Sequence, residues 1–382
     1  MVRRLGKALI FVGLTVVGLL LIGSITPQGR VAVRTALFLP QILPALPLRP
    51  QQWLTPDPVR RAVKFPLADG RLGSADLYLP AGPGKHSAVL FFMGVVPPDR
   101  DERRVVRLAE GLARTGMVVM IPWLDSQRLG VVAPQDVDGL VRAFQYMSAL
   151  ETVDAARAGM GGICTGASLA MVAAEDPRIA DDVKFINSFA GYYDALDLFK
   201  AIGGRSRFYE GATAPWEPDR LTLRLFVDHL VSSIRSETDR ALLERALKSP
   251  EAMDPRLSSE ATAVYKLAKG VPPDEVDSLM DKLPPNALET LRLISPSTNI
   301  DRLKARVLIM HDRADRLVPS EESRRLADAL GEGSNVYYTE FSSFQRNIQV
   351  HVDEGGGVGP LGYVREASKL FMHMYNVLRE LS

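Results

Sequence analysis

The sequence contains a single cysteine, Cys164, and only five histidines, which are widely dispersed along the 382 residues. One cysteine cannot form an internal disulfide, and no Cys/His cluster has zinc-site spacing, so neither bridges nor a structural metal are expected. An excess of charge of one sign is also lacking, because 46 basic residues face 45 acidic ones and the basic residues are scattered. This balance excludes a protein that binds nucleic acid through a basic surface.

Charge is absent from the stretch between Ala8 and Ile25, which follows the basic start MVRRLGK. About 18 apolar residues lie near the lower limit for crossing the hydrocarbon core of a bilayer. The basic flank predicts a cytoplasmic N-terminus, with the remainder outside the cytoplasm. We therefore predict that residues 1–27 anchor the protein in the membrane. Two alternatives are a cleaved signal segment, which would give a secreted or periplasmic protein, and a buried core helix.

The rest of the chain divides by pattern into a tether, a core in two parts and an insertion. Residues 28–60 are rich in proline and predict a tether with little regular structure. In 61–191 and again in 301–382, short apolar runs alternate with helical patterns, which predicts an α/β fold: a mostly parallel sheet with helices on both faces. Helical patterns dominate 192–300, so we predict an all-helical lid insertion there. Its Leu, Val and Phe content favours a substrate with an apolar portion.

The stretch GMGGICTGASLAMVAAEDPRI places Cys164 between Gly162 and Gly166 at a predicted strand-to-helix turn. A nucleophile elbow has this spacing, because larger side chains two residues from the nucleophile would collide with the neighbouring strand and helix. The start of the helix is expected to lower the pKa of the thiol and to stabilise an oxyanion. Alternatively, Cys164 is a small buried hydrophobe.

At this elbow the chain resembles the α/β-hydrolase superfamily. The cysteine makes it similar to dienelactone-hydrolase-like enzymes and, more weakly, to polyhydroxyalkanoate synthases. The resemblance extends from residue 61 to the C-terminus. It implies that Asp315, in HDRADRLVP, is the acid of a triad and that His351, in QVHVDEGGG, is the base. It also implies that the backbone N–H groups of Val95 and Thr165 form an oxyanion hole.

Each of these roles has a structural alternative. Asp315 is otherwise a capping or loop aspartate, and His351 a solvated loop histidine. Of the remaining histidines, His311 and His373 are expected to be structural, whereas His86 and His229 are expected to be surface residues.

The resemblance implies a hydrolase that cleaves an ester, lactone or thioester through a Cys-His-Asp triad and an acyl-enzyme. Its partners would be a small-molecule acyl substrate and the membrane, without nucleic acid, a metal or another cofactor. One alternative is an acyltransferase of polymer-synthase type. A second is a non-catalytic exported binding protein on a hydrolase fold, since fold does not guarantee activity.

Overall fold

The structure is a computed structural model that describes residues 25–43, 48–95, 97, 99–248, 256–331, 333, 335–342 and 360–380. Residues 1–24, which include nearly all of the predicted anchor, and the predicted base His351 therefore lie outside the described residues. Within the described ranges, no helix is both long enough and apolar enough to cross a membrane.

Ten strands occur among the described residues: β1 (Val59–Pro66), β2 (Leu72–Leu79), β3 (His86–Phe92), β4 (Met117–Trp123), β5 (Val153–Ile163), β6 (Phe185–Phe189), β7 (Ser206–Tyr209), β8 (Ala212–Pro215), β9 (Arg306–Asp312) and β10 (Val336–Phe341). Eight of them form one sheet in the order β1-β2-β4-β3-β5-β6-β9-β10. Strand β2 is antiparallel to β1 and β4, and the other pairs are parallel. The mostly parallel sheet agrees with the α/β prediction.

The described α-helices are α1 (Pro27–Ile42), α2 (Pro50–Leu54), α3 (Arg103–Arg114), α4 (Asp125–Leu129), α5 (Gln135–Ser148), α6 (Thr165–Ala174), α7 (Ala195–Gly204), α8 (Arg220–Ser233), α9 (Glu237–Lys248), α10 (Ser259–Lys269), α11 (Pro273–Met280), α12 (Pro285–Leu293), α13 (Glu321–Leu330) and α14 (Pro360–Arg379). Two short 3₁₀ turns, Pro296–Thr298 and Ile300–Arg302, precede β9.

The sheet has a hydrophobic core on each face. On one face, Leu140 and Phe144 of α5 and Leu169 of α6 pack into the larger core, which also includes side chains of the insertion. On the opposite face, Phe38 of α1 and Leu370 of α14 belong to a second core together with residues of α3. Both faces of the parallel strands are therefore covered, as expected for strands with continuous apolar runs.

The proline-rich segment differs from the prediction, because it forms the 16-residue helix α1. Pro27 occupies the first turn, where a missing N–H costs no hydrogen bond, and the Thr26 hydroxyl caps the helix by accepting a hydrogen bond from the N–H of Gly29 at 3.0 Å. Pro40 lies in the last turn, so it interrupts little of the helical hydrogen bonding. With Val31 and Phe38 buried in the second core, α1 packs on the sheet rather than forming a loose tether.

The insertion is largely helical, but the prediction that it is all-helical is wrong. Strands β7 and β8 form an antiparallel hairpin. Its two-residue loop, Glu210 and Gly211, has φ angles of 49° and 77°. Positive φ at both positions is typical of a type I′ turn, which matches the twist of paired strands. In α8, Phe226 and Leu230 are buried.

Candidate active site

Cys164 lies between β5 and α6 in a strained backbone conformation, with φ 55° and ψ −132°. Its N–H donates to the carbonyl oxygen of Phe189 at 2.8 Å, which ties the turn to the neighbouring strand β6. Positive φ is uncommon for a residue with a side chain, and such strain persists only where the surrounding structure fixes it. The geometry is that of a nucleophile elbow.

The two elbow glycines stand where no side chain would fit. A Cβ on Gly166 would lie 2.3 Å from the carbonyl oxygen of Phe92 and 2.4 Å from the backbone nitrogen of Gly94. A Cβ on Gly162 would lie 2.6 Å from the backbone nitrogen of Ala167. These are contacts with backbone, which cannot move aside as a flexible side chain can. The spacing of glycines around Cys164 is therefore a packing requirement of the turn.

The thiol of Cys164 is half-buried and lines a cavity. Burial, together with a smaller effect of the charge of Asp315, raises the pKa of this thiol to about 12. Hydrogen bonds from the backbone N–H and the hydroxyl of Thr165 lower the pKa, but burial outweighs them. The expectation that the helix start would give a low-pKa thiol is therefore wrong, because loss of solvation is the larger effect.

Asp315 is buried in the loop after β9, with an exposed fraction of 1%. Its Oδ1 accepts hydrogen bonds from the N–H groups of Leu317 at 2.7 Å and Val318 at 3.3 Å. Trp216 of the insertion donates from Nε1 to the backbone carbonyl of Asp315 at 2.8 Å. The loop is thus held from two sides, and the carboxylate is near enough to Cys164 to affect its pKa.

The predicted oxyanion donors lie beside each other. The N–H of Val95 donates to the hydroxyl oxygen of Thr165 at 3.3 Å, which places the loop after β3 against the start of α6. Gly94 has φ 74°, and a Cβ there would lie 2.7 Å from the same hydroxyl oxygen. The close approach of these two segments therefore depends on glycine at position 94.

Among the described histidines, two are structural. His311 is fully buried, with Nδ1 2.7 Å from the Ser323 hydroxyl oxygen and Nε2 3.0 Å from the Val318 carbonyl oxygen. His373 is also fully buried, and burial lowers its pKa to about 3. His86 is half-buried at the start of β3.

His229 of α8 is not the surface residue that was expected. It lines the cavity that Cys164 also lines, and its ring lies edge-on to Phe199 with 5.3 Å between centroids. Its Nε2 is buried without a hydrogen-bond partner among the described residues. Burial lowers the pKa of His229, so the ring is neutral near pH 7 and Nε2 can accept or donate a proton. In the sequence, His229 follows the buried Phe226 by three positions and precedes the buried Leu230 by one, a spacing that indicates the inward face of a helix.

The cavity has a volume of about 590 Å³ and is lined mostly by apolar side chains. Such a volume suits a small organic molecule. Cys164, Thr165 and Val95 line it at the carboxyl end of the parallel strands, and α7 and α8 of the insertion contribute Leu198, Phe199, Leu221, Phe226 and His229. The elbow thus opens into a mostly apolar cavity that the insertion helps to form.

Two buried polar residues that sequence reasoning missed position parts of this site. Gln127 of α4 donates from Nε2 to the carbonyl oxygen of Gly94 at 2.6 Å. Glu322 of α13 accepts hydrogen bonds at Oε2 from the N–H groups of Tyr193 at 2.9 Å and Asp194 at 3.0 Å. Glu322 thereby fixes the point where the insertion leaves β6. Neither residue lies in a recognisable motif, because each partner is distant in sequence.

The described residues contain no group of three or more His, Cys, Asp or Glu side chains arranged to hold a metal ion.

Comparison with known proteins finds no matching family model and no match among curated proteins. Solved structures with a similar fold include an acylaminoacyl peptidase in complex with a chloromethyl ketone, with 15% identity and a TM-score of 0.49 over 84% of this chain. The chain spans 42% of the length of that peptidase chain. Others are DcsB in complex with its substrate analogue, with 16% identity and a TM-score of 0.47 over 82% of this chain and 98% of that one, and a thermostable carboxylesterase from a metagenomic library, with 14% identity and a TM-score of 0.45 over 86% and 91%. At such identities the likeness concerns the fold alone, so the chemistry of the site is argued from the chain's own residues.

Proposed function

We propose that the chain is a hydrolase that cleaves an ester, lactone or thioester through an acyl-enzyme on Cys164. The observation that carries the proposal is the backbone of Cys164, held at φ 55° between two glycines with its thiol facing an apolar cavity. A residue that only fills space in a core has no need of this strained position. Strain of this kind is maintained at functional sites because it presents a side chain for reaction.

The proposed reaction has two steps. Sγ of Cys164 attacks the substrate carbonyl carbon while an imidazole takes the thiol proton, and the carbonyl oxygen becomes an oxyanion that accepts hydrogen bonds from the N–H groups of Thr165 and Val95. Collapse expels the alcohol or thiol, which takes the proton from the imidazolium, and leaves a thioester on Cys164. Water, deprotonated by the same imidazole, then releases the carboxylic acid and restores the thiol.

The raised pKa of Cys164 indicates that the thiol is protonated when the substrate binds. A thiol with a pKa of about 12 is almost entirely protonated near neutral pH. A preformed thiolate is therefore not the attacking species, and proton removal must accompany attack, as it does for a serine nucleophile. We assign this proton transfer to His351, with Asp315 stabilising the imidazolium. His229 is the histidine of the described chain that lines the cavity, so it is the candidate base to test against His351.

The substrate is proposed to be a small acyl compound with an apolar portion, because the lining is dominated by Leu, Phe, Val and Ile side chains. We further propose that the insertion acts as a lid. Outside the insertion, the exposed side chain of Val131 also lines the cavity, and the exposed Leu129 lies next to the lining residue Gly130. An apolar rim of this kind favours entry of an apolar molecule.

We propose that residues 1–27 attach the protein to a membrane, with the catalytic part outside the cytoplasm. Support comes from the sequence of residues 8–25 and from exposed apolar side chains that follow it. Ile25 is 75% exposed, and Trp53 and Leu54 of α2 are 69% and 64% exposed. Release as a secreted or periplasmic protein after cleavage is the alternative, and the mass of the mature N-terminus distinguishes the two.

The function is tested with the full-length protein in detergent, assayed against butanoyl and dodecanoyl esters and the matching thioesters. We expect hydrolysis by the unsubstituted protein, and a loss of at least a thousandfold in kcat for Cys164→Ala. His351→Ala is expected to lose as much, whereas His229→Ala retains activity within about tenfold if His351 is the base. Reversed effects of the two histidine variants would assign the base to His229.

Adding a primary alcohol separates the alternatives. Hydrolysis predicts free acid as the main product, whereas an acyltransferase would give mainly the new ester. Turnover that is equal in the unsubstituted protein and Cys164→Ala would contradict the cysteine mechanism. Absence of turnover from both proteins for every substrate would contradict the proposal and favour a binding protein on a hydrolase fold.

A further inference from the structure

The residues that line the cavity come from both faces of the sheet. We call the part lined by the insertion side chains Leu198, Phe199, Leu221 and Phe226 the lid arm. We call the part lined by Phe38, Leu108, Leu112, Phe185 and Met374 the back arm. The back-arm residues belong to the second hydrophobic core or pack against it, with side chains from α1, α3 and α14. The insertion is thus only one wall of a larger space.

The two arms meet at the end of β5. Consecutive residues of a strand point to opposite faces of a sheet. Accordingly, Ile163 packs against the second core, whereas Cys164 packs against the first, yet both line the cavity. Met93, after β3, also packs against the second core and lines the cavity. A chain attached at Cys164 can therefore pass Ile163 and Met93 and enter the back arm.

The back arm contains a buried amide. Gln41 of α1 has an exposed fraction of 1% and lines the cavity, and neither of its side-chain polar atoms has a hydrogen-bond partner among the described residues. A buried amide that lacks partners is costly, since neither water nor protein replaces its hydrogen bonds. Its Cγ is near Gly111 of α3, where a Cβ would lie 3.0 Å away. A glycine at that position leaves room for the glutamine between the helices.

A second amide faces the same space. Asn187 lies on the central strand β6 between Phe185 and Phe189, and all three residues line the cavity. Its Oδ1 is 2.9 Å from Nε2 of His373, whose Nδ1 is 3.0 Å from the Thr339 hydroxyl oxygen. With the hydrogen on Nε2, the ring donates to Asn187 and fixes the orientation of this amide.

We propose that the back arm binds the distal part of a long acyl chain carried by Cys164, and that Gln41 hydrogen-bonds a neutral polar group on that chain. The attachment at Cys164 rests on the proposed function, whereas binding in the back arm does not. A hydroxyl suits Gln41 best, because it can donate to the amide oxygen and accept from the amide nitrogen. A carboxylate would leave the amide oxygen without a donor. The substrate class is therefore a hydroxyacyl ester or thioester of long chain.

The proposal is tested by binding, which does not require turnover. Full-length Cys164→Ala is titrated calorimetrically with methyl butanoate, methyl dodecanoate, and a set of methyl hydroxydodecanoates that differ in the position of the hydroxyl. We expect the best hydroxy ester to bind at least fivefold more tightly than methyl dodecanoate. Adding Gln41→Leu is expected to remove that preference while leaving the affinity for methyl dodecanoate within about twofold.

A second variant tests the path of the chain. Leu108→Trp fills the back arm from α3 and is expected to weaken binding of methyl dodecanoate at least tenfold. The affinity for methyl butanoate, which does not reach the back arm, is expected to be unchanged. That unchanged affinity also shows that the variant is folded. Val106→Trp is the matched control, since Val106 is half-buried on the same helix and is not part of the cavity lining.

Equal affinities of the two tryptophan variants for the long ester, or no preference for any hydroxy ester, would overturn the proposal. Failure of the proposed function would instead appear as absence of butanoyl-ester hydrolysis by the unsubstituted protein. The two failures are therefore distinguishable.

Discussion

The side-chain amide of Gln127 donates to the carbonyl oxygen of Gly94 at 2.6 Å. That carbonyl belongs to the same planar peptide group as the N–H of Val95, so fixing one end of the group fixes the other. The Oε1 atom of Gln127 in turn accepts a hydrogen bond from the N–H of Leu124 at 2.8 Å, which locks the side chain. Gln127 is therefore the residue that orients the proposed oxyanion donor Val95.

Replacing Gln127 is expected to reduce the rate of acyl transfer more than substrate binding. In Gln127→Met the peptide between Gly94 and Val95 loses its anchor, so the Val95 N–H is less well aimed at the oxyanion. We expect kcat to fall about tenfold to a hundredfold with KM changed less than about threefold. Gln145→Met, at an exposed position of α5, is the control. A change confined to KM would show that Gln127 acts on binding and not on the oxyanion.

The thiol of Cys164 is expected to be alkylated slowly near neutral pH. Because its pKa is raised to about 12, the thiolate fraction and hence the rate should rise about tenfold for each pH unit between about pH 7 and 10. Iodoacetamide labelling of this single cysteine, followed by mass spectrometry, measures the rate. Glutathione labelled in parallel should level off near its own pKa. Fast labelling of Cys164 that levels off below about pH 8 would refute the raised pKa.

The elbow glycines are expected to be intolerant of a methyl group. In Gly166→Ala the added carbon would lie 2.3 Å from the Phe92 carbonyl oxygen, so strand and helix must separate. We expect the free energy of unfolding to fall by about 3 kcal/mol or more, as for severe overpacking. Gly333→Ala, where nothing lies within 4 Å of the added carbon, is expected to be nearly neutral. Urea unfolding compares the two, and equal stabilities would contradict the described geometry.

Glu175, at the end of α6, is expected to make stability fall as pH rises. Both of its carboxylate oxygens are buried, and neither has a hydrogen-bond partner in the part of the chain that the structure describes. Burial, with a smaller effect of Asp301, raises the pKa of Glu175 from 4.5 to about 9. Between these values the folded chain keeps a proton that the unfolded chain has lost. The free energy of unfolding therefore decreases with rising pH, by up to about 1.4 kcal/mol per unit from this group.

Glu175→Gln removes that titration, so its stability relative to the unsubstituted protein should increase between pH 5 and pH 8. Denaturant unfolding at several pH values measures the difference. Glu244→Gln, at an exposed position of α9, should show a constant difference over the same range. If the Glu175→Gln difference is also constant, Glu175 is ionised in the folded protein.

The sequence was sufficient to predict the sheet and the elbow, since both depend on local patterns. Apolar runs of strand length alternate with amphipathic helices, and the Gly-x-Cys-x-Gly spacing reflects contacts within one turn. The hairpin β7–β8 also has a local signal, the Glu210-Gly211 pair between two short strands, but the helical patterns on either side of it are stronger. Helix α1 was missed because proline suggests irregular structure, although the first and last turns of a helix tolerate it.

The rest of the site could not be predicted, because it depends on contacts between distant segments. Gln127 meets Gly94, and Glu322 meets Tyr193, only after the sheet has formed. The pKa of Cys164 likewise depends on how deeply the surrounding segments bury the thiol, which the helix dipole alone does not indicate. His229 was expected at the surface because the sequence does not show that the cavity and Phe199 of a neighbouring helix lie against this side of α8.

The measurement that tests the account most directly is the mass of the Cys164 peptide after rapid acid quenching of the full-length protein mixed with an acyl thioester. We predict an added acyl group on Cys164 that appears within the first turnover, is removed by hydroxylamine, and accumulates in His351→Ala far more slowly than in the unsubstituted protein. Substrate turnover with no acyl group on Cys164 at any time, and undiminished in Cys164→Ala, would contradict the proposal that this cysteine is the nucleophile.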